Sequence, residues 1–191
     1  MEALKDVAKN VQLDFQQPIS YLIPAILITL IGAIIYFLLY RIWTGTILLK
    51  RQKKIGVGIL FIIYMEVLLQ TAFFSREAGS RKGIDLTILS TWGKTAQEHA
   101  YFIENIMMFV PLGILLPMLF KKIRKLQYCA LTGFSCSCTI EVSQLITQRG
   151  FCQLDDVITN TMGAVVGWMI WRCVWKCLQS ILGNAIKLIV R

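Results

Sequence analysis

Long apolar stretches separated by short polar ones dominate the hydrophobicity pattern of this 191-residue chain. Five stretches reach the length of ~20 residues that a helix needs to cross a bilayer. They are Ile19–Tyr40, Ile55–Phe74, Phe102–Phe120, Tyr128–Thr147 and Asp156–Trp175. The composition, 56% hydrophobic and only 16% charged, agrees with this division. The pattern therefore predicts an all-α integral membrane protein with five transmembrane helices.

Both ends of the chain carry an amphipathic segment outside the predicted spans. Residues 1–18 and 176–191 each repeat apolar side chains at helical spacing, with polar residues between them. Each segment is predicted to form a short helix on the membrane interface, the first ended by Pro18. The predicted organisation is an outer interfacial segment, a five-helix transmembrane domain over residues 19–175, and an amphipathic helix on the cytoplasmic side.

Basic residues are distributed unevenly among the predicted loops. Thirteen of the twenty Lys and Arg residues lie in the first loop, in the third loop, or at and beyond the end of the last span. Because basic loops stay in the cytoplasm, the N-terminus is predicted outside the cell membrane and the C-terminus inside. All eleven acidic residues then lie on the outer side or within a span. Basic clusters that flank spans act as topogenic signals, so no nucleic-acid partner is predicted.

Polar side chains within the spans are the main candidate functional residues. A carboxylate at the centre of a span costs about 2.5–3.5 kcal/mol on insertion scales, so it is kept where it faces protein or water. Glu141 and Gln144 share one face of the fourth span, and Asn160 lies near the outer end of the fifth. Glu104 and Asn105 open the third span at its outer end. These groups are predicted to occupy one layer in the outer half of the membrane.

The outer loops add charged residues to this layer. Arg149, Asp155 and Asp156 lie in or next to the fourth loop, and Arg76 and Arg81 lie early in the second. A guanidinium can hold a carboxylate or a phosphate with two parallel hydrogen bonds. The arginines are therefore candidate anion-binding groups.

Two further pairs of residues have helical spacing within a span. Glu66 and Gln70 share a face of the second span, which fits either a hydrogen-bonded contact between helices or one wall of a polar cavity. Gly163 and Gly167 form a GxxxG pair on the same stripe of the fifth span as Asn160. Such a pair lets a neighbouring backbone approach closely, so these glycines are predicted to pack helices together.

Three motifs in this order carry a family resemblance: ENIMMFVPLGILLP, IEVSQLITQRG and DDVITNTMGAVVG. Over roughly residues 58–171 the chain resembles the VanZ family, membrane proteins linked to low-level teicoplanin resistance. The family pattern falls on Arg76, Arg81, Asn105, Pro111, Gly113, Glu141, Gln144, Arg149, Asp156, Asn160 and Gly163. The chain departs from it at Gln153, where aspartate is common, and at Asp85, where asparagine is usual. The resemblance implies a role at the cell envelope and supplies no catalytic mechanism.

The preferred interpretation is a non-enzymatic binding protein with an outward-facing polar pocket. Membrane lipids surround it, and its ligand would be a lipid-linked cell-wall precursor or a peptide-like molecule such as a glycopeptide. One alternative is an enzyme acting on a lipid-linked diphosphate, with Glu141 as general acid or base and Mg²⁺ at Asp155 and Asp156. A second alternative is a small lipid or proton-coupled transporter, and in a third the polar groups only hold the helices together. No Ser–His, Cys–His or HExxH arrangement is available, so no catalytic residue, cofactor or metal site is assigned.

Overall fold

The computed structural model describes residues 2–44, 52–79, 83–88, 92 and 95–189. Six long helices make up most of this part of the chain: α1 (Glu2–Asp14), α2 (Gln16–Thr44), α3 (Gln52–Leu69), α4 (Ala96–Leu119), α5 (Leu126–Thr147) and α6 (Leu154–Ile189). A π-helical turn, Gln70–Phe74, extends α3, and a 3₁₀ turn, Lys121–Arg124, joins α4 to α5.

Within the described residues, five helical stretches are long and apolar enough to cross a membrane. They are Leu4–Tyr36, Ile55–Phe74, Ala96–Leu119, Leu126–Thr147 and Leu154–Ile181. The predicted fold class, an all-α protein with five membrane-spanning helices, is confirmed. The chain is a multi-pass membrane protein.

The first two helices meet at Phe15, not at the predicted proline. α1 ends at Asp14 and α2 begins at Gln16, so Pro18 lies in the first turn of α2. Proline is tolerated there because the first N–H groups of a helix have no intrahelical acceptor. The prediction that Pro18 ends the first helix is wrong.

The C-terminal amphipathic segment is continuous with the last span. α6 runs without interruption from Leu154 to Ile189, and no break separates residues 176–189 from the apolar part. This part of the sequence contains no proline, so nothing in it removes a helical hydrogen bond. The predicted separate helix is the end of α6.

The start of α4 differs from the prediction. A capping box begins the helix at Ala96: the Glu98 amide donates to the Thr95 hydroxyl at 3.2 Å, and the Thr95 amide donates to the Glu98 carboxylate at 2.9 Å. This pairing satisfies two amide groups that a helix start leaves without partners. Glu104 and Asn105 therefore lie inside α4 and not at its outer end.

Glycines set the distance between α4 and α6. A Cβ added at Gly163 would collide with the carbonyl oxygen of Ile106, and one at Gly167 would collide with that of Val110. Gly113 of α4 is equally tight against the backbone of α6. Because glycine has no Cβ, the two backbones can approach this closely at these positions, as small residues allow in membrane helices.

A short parallel ladder joins the α3–α4 loop to the α5–α6 turn. β1 (Ile84–Asp85) pairs with β2 (Cys152–Gln153), with Ile84 opposite Cys152 and Asp85 opposite Gln153. The amide of Cys152 also donates to the carbonyl of Gly83 at 3.0 Å. The α3–α4 loop is thereby held against the α5–α6 turn, a contact that no sequence pattern predicted.

Candidate ligand-binding cavity

A cavity of about 840 Å³ lies among the ends of α1, α3, α4 and α6. Apolar side chains of α3 and α4 form part of its wall, including Tyr64, Val67, Met107 and Met108. Its polar lining comprises Asp14, Gln17, Thr71, Ser75, Arg76, Glu77, Asp85, Glu98, Glu104, Asn105, Gln153 and Asp156. The cavity lies at the opposite end of α4 from the basic turn, Lys121–Arg124. It is therefore an amphipathic space at the acidic end of the helices.

Four of the predicted site residues line this cavity together. Arg76 comes from the loop that follows the π-helical turn, Glu104 and Asn105 from α4, and Asp156 from the first turn of α6. The amide of Asn105 donates to Asp156 Oδ1 at 2.8 Å. This bond crosses the glycine-lined contact between α4 and α6, so close packing of the helices and placement of the polar pair depend on each other.

Glu141 and Gln144 lie behind the cavity wall and are buried, with 2% and 3% of their surface exposed. The carboxylate of Glu141 accepts a hydrogen bond from the backbone N–H of Gln153 at 2.9 Å. The amide of Gln144 donates to the carbonyl of Ala72 at 2.6 Å, at the end of α3. Each of these side chains fixes the backbone of a residue that lines the cavity. Neither Glu141 nor Gln144 lines the cavity itself.

Asn160 is also buried behind the wall, with 3% of its surface exposed. Its amide donates to the hydroxyl of Ser137 at 2.9 Å, which links α6 to α5. The same hydroxyl lies 3.5 Å from the backbone carbonyl of Asp156 and donates to it. Asn160 therefore supports the first turn of α6 and, through it, the cavity carboxylate.

Arg149 directs its guanidinium at protein backbone. Its Nη1 donates to the carbonyls of Arg76 at 2.9 Å and Phe73 at 3.3 Å, and its guanidinium lies 4.9 Å from the centre of the Phe73 ring. These carbonyls lie where the π-helical turn ends, and helix ends leave carbonyls that need a donor. Arg149 closes the end of α3 and does not line the cavity.

Arg76 supplies positive charge to this region. Its guanidinium interacts electrostatically with Glu141 behind the wall and with Asp156 in the cavity. Both carboxylates therefore lie within the electrostatic range of one cation. Arg81, which the sequence also predicts here, lies outside the described residues.

The two adjacent aspartates have different surroundings. Successive residues of a helix point about 100° apart, at 3.6 residues per turn. Asp155 is buried, with 2% of its surface exposed, whereas Asp156 lines the cavity. Among the described residues, no group of three His, Cys, Asp or Glu side chains is placed to hold a metal ion.

Glu66 and Gln70 do not line the cavity. The hydroxyl of Thr29 in α2 donates to Glu66 Oε2 at 3.3 Å, so this carboxylate contributes to a contact between α2 and α3. Gln70 is exposed at the start of the π-helical turn. Of the two interpretations of Glu66, the structure supports the contact between helices, with Thr29 as the partner.

The family assignment covers the helices that build most of the cavity. A family model described as VanZ/LLP1 matches residues 55–176. This chain belongs to the VanZ/LLP1 family. It is similar to Protein VanZ of Enterococcus faecium, with 33% identity over 87 residues, which are 46% of this chain and 51% of that protein. The chain thus spans about half the length of this curated relative. No solved structure matches the chain.

Asp14 and Gln153 line the cavity although the sequence did not predict them as site residues. Asp14 lies outside the VanZ/LLP1 match, at the end of α1; it accepts a hydrogen bond from Gln97 at 2.7 Å and lies beside Glu104. An amphipathic pattern predicts the helix α1 but not which helix it packs against. Gln153 appeared only as a departure from the family pattern, although its backbone amide holds Glu141.

Proposed function

We propose that this VanZ/LLP1 protein binds a cell-envelope ligand in an outward-facing cavity within the outer half of the membrane. Through that binding it contributes to glycopeptide resistance of the teicoplanin type. The observation that supports the proposal is the cavity of about 840 Å³, which joins charged side chains from separate helices to an apolar wall.

The lining supports an amphipathic ligand. Arg76 and Asn105 offer N–H donors, and Asp156 and Glu104 offer carboxylate acceptors in the same cavity. Hydrogen bonds to charged groups contribute about 1.5–3 kcal/mol, roughly 10- to 100-fold in affinity. The apolar side chains, among them Met107, suit the hydrophobic portion of the ligand. A lipid-linked cell-wall precursor and a peptide-like molecule both combine such polar and apolar parts.

The charge distribution supports an outward-facing cavity. The basic turn at the far end of α4, Lys121–Arg124, is the kind of segment that remains in the cytoplasm. With that turn inside, the cavity opens on the side where the cell envelope is assembled. The buried polar residues behind the wall, Glu141, Gln144 and Asn160, then maintain the shape of the site.

The proposal predicts that Asp156→Asn and Arg76→Ala each remove teicoplanin resistance from cells that express the protein. The amide that replaces the Asp156 carboxylate keeps an oxygen that can accept the Asn105 hydrogen bond, so this variant removes the charge and keeps the helix contact. Losing one charge-assisted hydrogen bond is expected to weaken ligand binding about tenfold or more. The measurement is the minimal inhibitory concentration of teicoplanin at matched abundance in the membrane.

Glu66→Gln is the matched control, because Glu66 is a carboxylate of a neighbouring span that contacts Thr29 and does not line the cavity. This variant is expected to keep full resistance. If Asp156→Asn and Arg76→Ala also keep full resistance at equal abundance, the cavity is not the functional site.

A further inference from the structure

We infer that Gly150 is a positioning residue for the cavity: the missing side chain at this turn lets the Arg76 guanidinium lie across the α5–α6 connection and reach Glu141 and Asp156. The inference rests on the proposed function, in which Arg76 is a ligand-binding group. It assigns a role to the glycine that ends the second sequence motif, IEVSQLITQRG.

The space around Gly150 is occupied by two polar side chains. Gly150 is buried, and a Cβ added to it would lie 2.8 Å from Arg76 Nη1 and 3.1 Å from Gln144 Oε1. Carbon atoms in contact normally stay about 3.5 Å or more from their neighbours. The Arg76 guanidinium therefore occupies the space that the side chain of any other residue at position 150 would fill.

Backbone conformation does not explain the glycine. Among the described residues, Gly79 is the glycine with a positive φ, and Gly150 is outside that region. An alanine at position 150 can therefore adopt the backbone conformation of the turn. Glycine is required at position 150 because the side chains of Arg76 and Gln144 fill the adjacent space.

Neither neighbour can move away freely. The Gln144 amide is fixed by its 2.6 Å hydrogen bond to the carbonyl of Ala72. The backbone of Arg76 is fixed by the 2.9 Å bond from Arg149 Nη1 to its carbonyl. The added Cβ lies nearest to Arg76 Nη1, so a methyl group at position 150 displaces the end of the Arg76 side chain. The displacement would change the electrostatic interaction of Arg76 with Glu141 and Asp156.

A double-mutant cycle tests this inference with four forms of the protein: wild type, Gly150→Ala, Arg76→Lys and the double variant. Lysine keeps the positive charge but carries one ammonium on an unbranched stem, so it lacks the Nη1 atom that the added methyl meets. Gly150→Ala is expected to lower the unfolding temperature in detergent by about 2–4 °C when residue 76 is arginine. It is expected to cause no further change when residue 76 is lysine.

Teicoplanin resistance at matched membrane abundance gives a second measurement on the same four forms. Gly150→Ala is expected to reduce resistance severalfold in the arginine background, and to have no additional effect in the lysine background. Gly58→Ala is the control, since nothing lies within 4 Å of a Cβ added at Gly58. If Gly150→Ala has the same effect in both backgrounds, Gly150 acts on the turn alone and the inference is wrong.

The two measurements separate this inference from the proposed function. Coupling between Gly150 and Arg76 in the unfolding temperature, with resistance unchanged in all four forms, supports the positioning role and contradicts the proposed function. Resistance that falls with Arg76→Ala, combined with additive effects of Gly150→Ala in both measurements, supports the proposed function and contradicts the positioning role.

Discussion

Gly163→Ala is expected to lower the unfolding temperature of the detergent-solubilised protein, whereas Gly58→Ala is not. The added Cβ at Gly163 would collide with the carbonyl oxygen of Ile106 and lie 3.0 Å from the Cβ of Phe109. Backbone atoms cannot rotate away, so α4 and α6 must separate. Overpacking of this kind costs about 1–3 kcal/mol. A cost of 1 kcal/mol shifts the unfolding temperature by about 2–4 °C in a chain of this size.

Gly58→Ala is the matched control for this prediction. Gly58 also lies in a membrane-spanning helix, but nothing occupies the space within 4 Å of its added Cβ. Alanine is favoured over glycine within a helix by about 0.8–1.0 kcal/mol, so this variant is expected to be neutral or slightly stabilising. Equal shifts in unfolding temperature for the two variants would contradict the close contact between α4 and α6.

Glu141→Ala is expected to destabilise the protein by about 1–3 kcal/mol, the cost of leaving a buried hydrogen-bonding group without its partner. The substitution leaves the N–H of Gln153 without its acceptor and removes a counter-charge from Arg76. Since the side chain is buried, water cannot easily replace the lost carboxylate. The measurement is thermal unfolding in detergent, followed by circular dichroism.

Glu141→Gln is the control that separates hydrogen bonding from charge. Its side-chain oxygen can still accept from the Gln153 amide, so it is expected to be clearly less destabilising than Glu141→Ala. An unfolding temperature for Glu141→Ala equal to that of the wild type would show that this carboxylate does not hold the α5–α6 turn.

The membrane-spanning helices were predictable because their signal is local. An apolar run of sufficient length specifies a span whatever its neighbours are, and the described part of the chain contains five such stretches. Helix ends were less predictable. The Thr95–Glu98 capping box starts α4 within a segment that the hydropathy pattern assigns to a loop. Hydropathy misses this start because capping depends on single polar residues and not on a run of apolar ones.

The sequence predicts how far along its helix each candidate residue lies, but not which helix faces meet. Counting residues from a span end gives the depth of Glu141 or Asn160, since each helical residue rises about 1.5 Å. Which helix faces meet depends on helix packing. Packing separates the predicted site residues: Asp156 lines the cavity, whereas Glu141 and Asn160 lie behind its wall. Helix packing also places Glu66 against α2, away from the cavity.

The contacts between loops left no signal in the sequence. The paired strands are two residues each, too short for an alternating pattern, and they join segments far apart in the chain. The sequence likewise gave no reason to single out Gly150. Its importance becomes visible only when the Arg76 side chain, from a loop more than seventy residues earlier, occupies the space beside it.

Labelling from outside the cell tests most directly the central claim that the cavity opens to the exterior. Ser75 lines the cavity and is exposed, and Lys122 is exposed in the basic turn at the other end of α4. Ser75→Cys and Lys122→Cys would be treated with a membrane-impermeant maleimide, and labelling above the wild-type chain would be recorded. The account predicts that Ser75→Cys is labelled in intact cells and Lys122→Cys only after permeabilisation; the reverse pattern would contradict it.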